Sequence, residues 1–409
     1  MIKWRDYQEE VISSGTDVIR KNRFVYLAME VRTGKTLCSL QICENNKAKN
    51  VLFITKKKAI PSIEKDIKTL APSYESTVIN YESLHKVDTS SVDHVIIDEA
   101  HSIGAFPKPS GRQKKVAELV KKRNACVVLL SGTPTPESFS QMYHQVSFIP
   151  GNPFSEFSNF YRFANVYVDV KTRMINGRRH NDYKDGKEDI VKKMDPYTIN
   201  KSQAQAGFES KVDEEILFVE PSSMVTKIAD TLKKDLVVPF MGDFILADTP
   251  VKLQQKLHQI YSGSVILEDS GLSAIIDLAK ANFIKKRFAG SKIGIFYVFK
   301  AELEMLKQVF GDQLTESQEE FDSTDKNIAL QVRAGREGVS LRNADYLVYY
   351  NIEFSATTYW QSRDRMTTID RKFNKVYWIF TRGGIEERIY KAVLNKKSYT
   401  VSHFKKDFL

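Results

Sequence analysis

Short, almost uninterrupted apolar runs alternate with helix candidates over the first third of the chain. The runs are FVYLAM (24–29), VLFIT (51–55), VIIDEA (95–100) and VVLLSG (127–132). A strand that is apolar throughout is buried on both faces, which is typical of parallel sheets covered by helices. Helix candidates such as TLCSLQICENN and GRQKKVAELVKKR lie between the runs. We therefore predict an α/β fold built on a doubly wound parallel sheet.

The last third of the chain repeats this alternation. Its apolar runs are KIGIFYVF (292–299), NIALQV (327–332), DYLVYYN (345–351) and KVYWIF (375–380). The stretch GGIEERIYKAVL then predicts a closing helix, because Ile385, Ile389 and Val393 recur every four residues. These patterns predict a second α/β lobe.

The sequence between these two blocks does not continue the alternation of apolar runs and helix candidates. We predict a first lobe at 1–152, a mixed helical insert at 153–262 and a second lobe at 263–409. Inside the insert, VKTRMINGRRHNDYKDGKED is polar and carries Asn-Gly and Asp-Gly turn signals. That stretch predicts an exposed hairpin.

Charge and cysteine content limit the classes of partner and compartment. The chain has 61 Lys and Arg against 51 Asp and Glu, a net charge of +10, which favours an anionic partner, nucleic acid first. No apolar run approaches the roughly 20 residues of a membrane span. Three cysteines without a C-x-x-C pair indicate reduced thiols, so we predict a cytoplasmic protein without a membrane partner.

The stretch MEVRTGKTL resembles a phosphate-binding loop and follows the first apolar run. Gly34 would allow a close backbone approach to phosphate, Lys35 would neutralise the β- and γ-phosphates, and Thr36 would offer its hydroxyl to Mg²⁺. Met29 occupies the place of the usual first glycine. Taken alone, the GKT triplet could equally be a coincidence at a helix start.

Polar residues also follow the third and fourth apolar runs. In VIIDEAH, Asp98 could bind Mg²⁺ through water and Glu99 could polarise an attacking water; the alternative is a helix cap. In LLSGTPTP, the hydroxyls of Ser131 and Thr133 would face the acidic pair, or form an ordinary turn. All three motifs would meet at the carboxyl edge of the sheet, where ligands bind in such folds.

GKT, DEAH and SGT in this order closely resemble the nucleotide-binding lobe of superfamily 2 helicases and translocases. VRAGREGVSL (332–341), QSRDRMTTIDR (361–371) and GGIEERIYKAV are similar to Snf2-type elements of the second lobe, and WRDYQ is similar to the adenine-reading element. The chain looks most like compact Snf2-type proteins encoded by bacteriophages. The resemblance implies two RecA-like lobes with ATP and Mg²⁺ bound between them.

The resemblance also assigns roles to residues. Catalysis would fall to Lys35, Asp98, Glu99, Gln361 and Arg365, the last as arginine finger. The nucleotide would be bound by Gln8 at the adenine and by Thr33, Gly34, Lys35, Thr36, Gly338 and Arg365. Thr36 and Asp98 would hold the metal ion, and His101 would bridge to Ser131 or Thr133 to couple the motifs. DNA phosphates would contact Thr55, Lys56, Lys57, Arg333 and Arg336, although the lysine run alone could be an ordinary solvated surface.

Two positions depart from the family pattern. Arg32 replaces the glycine that usually lies two residues before Gly34, and we expect the arginine to be tolerated if its φ is negative and its side chain points away, or toward nucleotide or DNA. Thr368 replaces the second arginine of the second-lobe element, so Arg363 or Arg371 could substitute, or Arg365 could act alone.

These features predict a DNA-stimulated ATPase that translocates on duplex or branched DNA in phage replication, recombination or repair. Phage or host replication proteins are possible partners. One alternative is a strand-separating helicase, for which the hairpin near 170–190 is the candidate wedge. An alternative of another class is a nucleic-acid-binding adaptor with little ATP turnover.

Overall fold

The computed structural model describes residues 2–175, 178–207, 211–335, 341–355, 358–359, 362 and 373–394. The chain divides into two compact units, Met1–Phe208 and Glu209–Leu409. Each unit contains a six-stranded sheet in which every neighbouring pair of strands is parallel. The predicted α/β class with two parallel sheets is therefore confirmed, as expected for two RecA-like lobes.

The first unit contains the strands β1 (Phe24–Met29), β2 (Asn50–Thr55), β3 (Glu75–Asn80), β4 (His94–Ile97), β5 (Cys126–Leu130), β6 (Lys171–Ile175), β7 (Arg178–Asp182) and β8 (Thr198–Lys201). Its helices are α1 (Asp6–Asn22), α2 (Lys35–Asn45), α3 (Ile60–Leu70), α4 (Gly111–Arg123), α5 (Met142–Val146), α6 (Phe160–Tyr167) and α7 (Asp189–Met194). The six-stranded sheet has the order β3-β2-β4-β5-β1-β8.

The strand order places the motif-bearing loops side by side. Strand β5 lies between β4 and β1, and β2 lies on the other side of β4. Because these strands are parallel, the loops that follow β1, β2, β4 and β5 all leave the same edge of the sheet. The four strands match the four apolar runs, and their side chains are almost all buried, as covered faces require.

The second unit contains the strands β9 (Lys211–Val219), β10 (Val237–Phe240), β11 (Asp243–Leu246), β12 (Ser264–Ile266), β13 (Ser273–Ile275), β14 (Ile293–Tyr297), β15 (Leu314–Thr315), β16 (Asn327–Gln331), β17 (Tyr346–Tyr349) and β18 (Phe373–Thr381). Its helices are α8 (Ser223–Asp235), α9 (Pro250–Tyr261), α10 (Ala279–Arg287), α11 (Lys300–Phe310), α12 (Gln318–Ser323), α13 (Val332–Gly335) and α14 (Glu386–Leu394). The six-stranded sheet has the order β15-β16-β14-β17-β18-β9.

The predicted apolar face of the closing helix is confirmed, since Ile385, Ile389 and Val393 are all buried in the core of the second unit. The predicted hairpin is also found: β6 and β7 are antiparallel, and Ile175 pairs with Arg178. Among the described helices, none is long and apolar enough to cross a membrane.

The domain boundaries differ from the predicted three-part division. The interval 153–262 forms no unit of its own, because β8 joins the first sheet and β9 joins the second. Both are edge strands: β8 reads TINK, and β9 reads KVDEEILFV, in which four of the first five residues are charged. An edge strand needs less apolar surface than a central strand, so neither produced the continuous apolar run on which the division was based.

Candidate nucleotide-binding site

The GKT loop connects β1 to α2, and Gly34 forms the N-cap of α2 with φ 82°. This left-handed conformation favours glycine. A Cβ atom at position 34 would also overlap the side-chain nitrogen of Gln8. Thr33 is fully buried, and its hydroxyl donates to the carbonyl of Glu30 at 2.7 Å. The loop therefore has a defined conformation that presents its backbone at the start of a helix, where anions bind well.

Two residues of α1 contact the loop from the side. The hydroxyl of Tyr7 donates to the carbonyl of Thr33 at 3.1 Å, and the amide of Gln8 donates to the same oxygen at 3.4 Å. Gln8 is buried. Its predicted contact with adenine stays a prediction, but its position against the phosphate loop is clear. The contact made by Tyr7 was not predicted from the sequence.

Arg32 adopts φ 65°, so the negative φ under which we expected an arginine to be tolerated here is not found. The left-handed region brings Cβ close to the following carbonyl oxygen and costs a residue other than glycine about 1–2 kcal/mol. The position therefore retains the backbone conformation for which glycine is suited, although an arginine now occupies it.

We expect Arg32→Gly to be more stable than Arg32→Ala by about 1 kcal/mol. Both variants remove the arginine side chain and its contacts, so their difference isolates the backbone conformation. At a position with negative φ the alanine variant would be the more stable of the two, because glycine makes the unfolded chain more flexible. Urea unfolding of the two variants measures the difference. An alanine variant at least as stable as the glycine variant would contradict the left-handed conformation.

The acidic pair follows the end of β4. Asp98 is bonded through its backbone N–H to the carbonyl of Ile54, and its Oδ2 accepts a 2.7 Å hydrogen bond from the hydroxyl of Thr55. Tyr81 donates its hydroxyl to the Asp98 carbonyl. Burial, reinforced by the neighbouring Glu99 charge, raises the pKa of Asp98 to about 6, while the charge of Lys35 opposes the rise. Lys35 is thus near enough to act on this carboxylate.

The raised pKa of Asp98 makes stability depend on pH. Because the folded-state pKa lies above the usual 3.8, deprotonation is harder in the folded chain, and the free energy of unfolding falls as pH rises from about 4 to about 6. We expect Asp98→Asn to be more stable than the wild type above pH 6, with the difference shrinking toward pH 4. Urea unfolding at several pH values measures it. A constant difference over this range would contradict the raised pKa.

Glu99 lies in a short hydrogen-bonded relay. Its backbone is left-handed, with φ 51°, and begins the turn Ala100–Ile103. Oε2 of Glu99 lies 3.2 Å from Nδ1 of His101, which is itself 3.0 Å from Oγ of Ser131. Ser131 Oγ in turn accepts the backbone N–H of Thr133 at 3.1 Å. The predicted contact between His101 and Ser131 is confirmed.

Two further details bear on the loop after β5. A Cβ atom at Gly132 would lie 3.5 Å from the carbonyl oxygen of Met29, so this loop passes beside the end of β1. The buried hydroxyl of Thr133 has no hydrogen-bond partner in the described part of the chain. The loops carrying Lys35, Glu99 and Ser131 therefore share one sheet edge.

The sequence of the chain matches a known family. The family model described as the SNF2-related domain matches residues 28–275, more than half of the chain. The chain belongs to the SNF2-related family. That family consists of ATP hydrolases, so membership implies that the chain binds ATP.

Relatives of this SNF2-related chain include much longer proteins. The Chromodomain-helicase-DNA-binding protein 3 homolog of Caenorhabditis elegans is 22% identical over 439 residues, covering 94% of this chain and 21% of that protein. The CHD3-type chromatin-remodeling factor CHR7 of Arabidopsis thaliana is 19% identical over 331 residues, covering 74% of this chain and 26% of that protein. The chain spans about a fifth to a quarter of these relatives.

A solved structure is also similar to this SNF2-related chain. The Sulfolobus solfataricus SWI2/SNF2 ATPase core in complex with dsDNA shares 15% sequence identity, with a TM-score of 0.44. The match covers 99% of this chain and 92% of that one.

The donor chemistry of the SNF2-related site fits a magnesium ion that arrives with a nucleotide. Among the described residues, no cluster of three or more His, Cys, Asp or Glu side chains could hold a metal by itself. Mg²⁺ at nucleotide sites needs only one or two carboxylates, with phosphate oxygens and water completing its shell. Asp98 provides such a carboxylate, and Thr36 is in the first turn of α2.

Four of the five residues predicted to contact DNA lie in the described part of the chain, and the contacts of Lys56, Lys57 and Arg333 with DNA stay predictions. Lys57 is exposed and Lys56 is partly exposed in the turn after β2, so both suit contact with phosphate. The prediction for Thr55 is wrong, since this residue is fully buried and its hydroxyl binds Asp98.

Arg333 lies in α13, where its guanidinium binds the carboxylate of Glu353 through two contacts of 2.7 and 3.0 Å. A phosphate would compete with that carboxylate. Outside the described residues lie Arg336, Gly338, Gln361, Arg363, Arg365, Thr368 and Arg371.

Proposed function

We propose that this chain is an ATPase stimulated by duplex or branched DNA, along which it translocates. The observation that carries the proposal is the convergence of Lys35, Asp98 and Glu99 at one sheet edge, with Glu99 connected through His101 to Ser131. A phosphate-binding loop beside an acidic pair is the arrangement that nucleotide hydrolysis requires.

The phosphate groups would be held by the first turn of α2. The backbone N–H groups that follow Gly34 point toward the loop, and the helix dipole favours an anion there. Lys35 would neutralise phosphate charge. When bound with the nucleotide, Mg²⁺ would add further positive charge at the phosphate oxygens, with Thr36 and Asp98 as its protein ligands. Thr55 holds the Asp98 carboxylate in a fixed orientation through its 2.7 Å hydrogen bond.

Glu99 would orient the attacking water and accept its proton. The carboxylate is largely shielded from solvent, and its Oε2 lies 3.2 Å from Nδ1 of His101, which helps to hold it in place. His101 also contacts Ser131. A change at Glu99 during turnover could therefore reach the Ser131–Thr133 segment through one imidazole ring, which supports the coupling role proposed for His101, Ser131 and Thr133.

DNA is proposed as the partner on three grounds. The net charge is +10, Lys56 and Lys57 are accessible at the loop edge of the sheet, and the two relatives are named as a DNA-binding helicase homolog and a chromatin-remodeling factor. The roles of Gly338, Gln361, Arg365 and Arg336 stay predictions. So do a phage origin, phage or host replication partners and a cytoplasmic location.

A second candidate function is a nucleic-acid-binding adaptor with little ATP turnover. The observation that favours it is the left-handed Arg32 in the loop, where glycine would leave more room for phosphate. Phosphate release measured with and without duplex DNA separates the two functions: DNA should accelerate release severalfold if the chain is a motor. A rate that DNA does not change would favour the adaptor.

Translocation and strand separation are distinguished by a different pair of substrates. A translocating chain is expected to displace a third strand from triplex DNA in the presence of ATP while leaving a forked duplex paired. Unwinding of the fork at a comparable rate would instead identify the chain as a helicase.

A further inference from the structure

The ribbon formed by β6 and β7 has no place in the nucleotide site. Its two strands pair with each other and with no other strand in the described part of the chain. Met174 and Arg179 are directly paired in the register, Met174 is 64% exposed, and Arg179 is also exposed. The described side chains at 171, 172, 174 and 179–181 are all exposed, so they do not contribute to a core.

The base of the ribbon is firmly attached to the first unit. The ring of Tyr183 packs 5.5 Å from that of Phe160, and its carbonyl accepts a 2.7 Å hydrogen bond from the hydroxyl of Ser140. A Cβ atom at Gly186 would lie 2.7 Å from the backbone nitrogen of Ser140. An isolated two-stranded hairpin is marginally stable in water. These contacts at the base explain how a solvated ribbon keeps a defined position.

The ribbon carries more positive charge than a surface hairpin requires. Between positions 171 and 182 the sequence has one acidic residue, Asp182, against four basic ones: Lys171, Arg173, Arg178 and Arg179. Lys171 is paired with Asp185 at the base. The remaining arginines are closer to the turn in sequence. Met174 and Ile175 are its only apolar residues, which is too little apolar surface for a docked protein core.

A second basic surface adjoins the base of the ribbon. Tyr161 of α6 packs 5.9 Å from Tyr183 and borders a groove of about 520 Å³. The groove is also lined by one acidic residue, Glu118, and by three lysines, Lys108, Lys114 and Lys121. The positive region thus extends from the ribbon to α4. An extended region of this kind suits a polyanion better than a small anion.

We propose that the β6–β7 ribbon is an arm that binds the phosphate backbone of duplex DNA, with Arg179 as a principal contact. A two-stranded ribbon has the width that the major groove of B-DNA accepts, and arginine contacts to phosphate are independent of base sequence. The inference rests on the proposed function because it takes DNA as the partner. It adds a contact remote in sequence from Lys56 and Lys57.

The test measures binding of a short fluorescent DNA duplex by anisotropy, without ATP and at several salt concentrations. The variants are Arg179→Ala and Arg179→Glu, with Lys286→Ala and Lys286→Glu as matched controls on the exposed face of α10. We expect Arg179→Glu to weaken binding about fivefold or more at low salt, and Arg179→Ala to reduce the salt slope by about one. ATP hydrolysis without DNA should be unchanged in all four variants.

Each outcome decides the proposal. A loss confined to the Arg179 variants supports the arm. Unchanged affinity and salt slope in both Arg179 variants would overturn the arm while leaving DNA-stimulated ATP hydrolysis intact. An equal loss in Lys286→Glu would overturn it as well, because overall charge would then control binding. A wild type that binds no duplex would overturn both the arm and the proposed DNA partner.

Discussion

Glu99→Gln is expected to keep ATP binding nearly intact and to slow hydrolysis by about 10²-fold or more. Glutamine has nearly the same shape as glutamate. Its amide oxygen can take the place of the carboxylate oxygen that lies 3.2 Å from Nδ1 of His101. An amide cannot accept a proton from the attacking water. The change therefore removes the chemical function of the side chain while leaving its neighbours in place.

The measurement pairs single-turnover phosphate release with calorimetric ATP binding. Glu75→Gln provides the matched control, because it makes the same chemical change at an exposed position on the edge strand β3. We expect this control to hydrolyse ATP at the wild-type rate. Normal hydrolysis by Glu99→Gln would remove Glu99 from the catalytic role.

Lys35→Ala is expected to weaken ATP binding about tenfold or more and to reduce hydrolysis to the background rate. Lys35 provides a positive charge at the first residue of α2, and no other Lys or Arg directly follows the Gly34 cap. Its removal should also raise the pKa of Asp98 further, because Lys35 is the cation that opposes the effect of burial. A more protonated Asp98 would be a poorer ligand for Mg²⁺.

Calorimetric titration with ATP and Mg²⁺ measures the first effect, and its repetition between pH 5.5 and 8 measures the second. Lys21→Ala is the control, since Lys21 is an exposed lysine in the last turn of α1. Wild-type affinity in Lys35→Ala would show that the GKT triplet is a coincidence at a helix start.

The sequence predicted the central strands of both sheets because burial on both faces leaves a clear signature. Strands β1, β2, β4 and β5 match their apolar runs to within a few residues. Edge strands are covered on fewer sides and carry more polar residues. In the strand β3, ESTVIN, only Ile79 is buried, and β8 and β9 read TINK and KVDEEILFV. The predicted domain boundaries differ from those of the structure because β8 and β9 were not predicted.

The sequence also predicted the main residues of the site but not the contacts that hold them. Thr55 binds Asp98 because β2 and β4 are neighbours in the sheet. The order of strands in a sheet cannot be predicted from the residues of each strand alone. A hydroxyl at the last residue of a strand beside the acidic strand is the signal that could have suggested it. Similarly, the contacts of Tyr7 and Gln8 with Thr33 depend on how α1 packs beside the loop.

The backbone conformation of Arg32 could not be predicted from the sequence either. The pattern showed that Arg32 replaces a glycine, but it did not show whether the loop had changed its path or kept it. The φ of 65° shows that the path of a glycine was kept with an arginine in place.

The central claim is that one sheet edge, carrying Lys35, Asp98 and Glu99, hydrolyses ATP in response to DNA. Steady-state phosphate release tests it most directly when wild type and Lys35→Ala are each measured with and without duplex DNA. We predict a DNA-accelerated rate in the wild type and background rates in both Lys35→Ala samples. Equal rates in all four samples would contradict it.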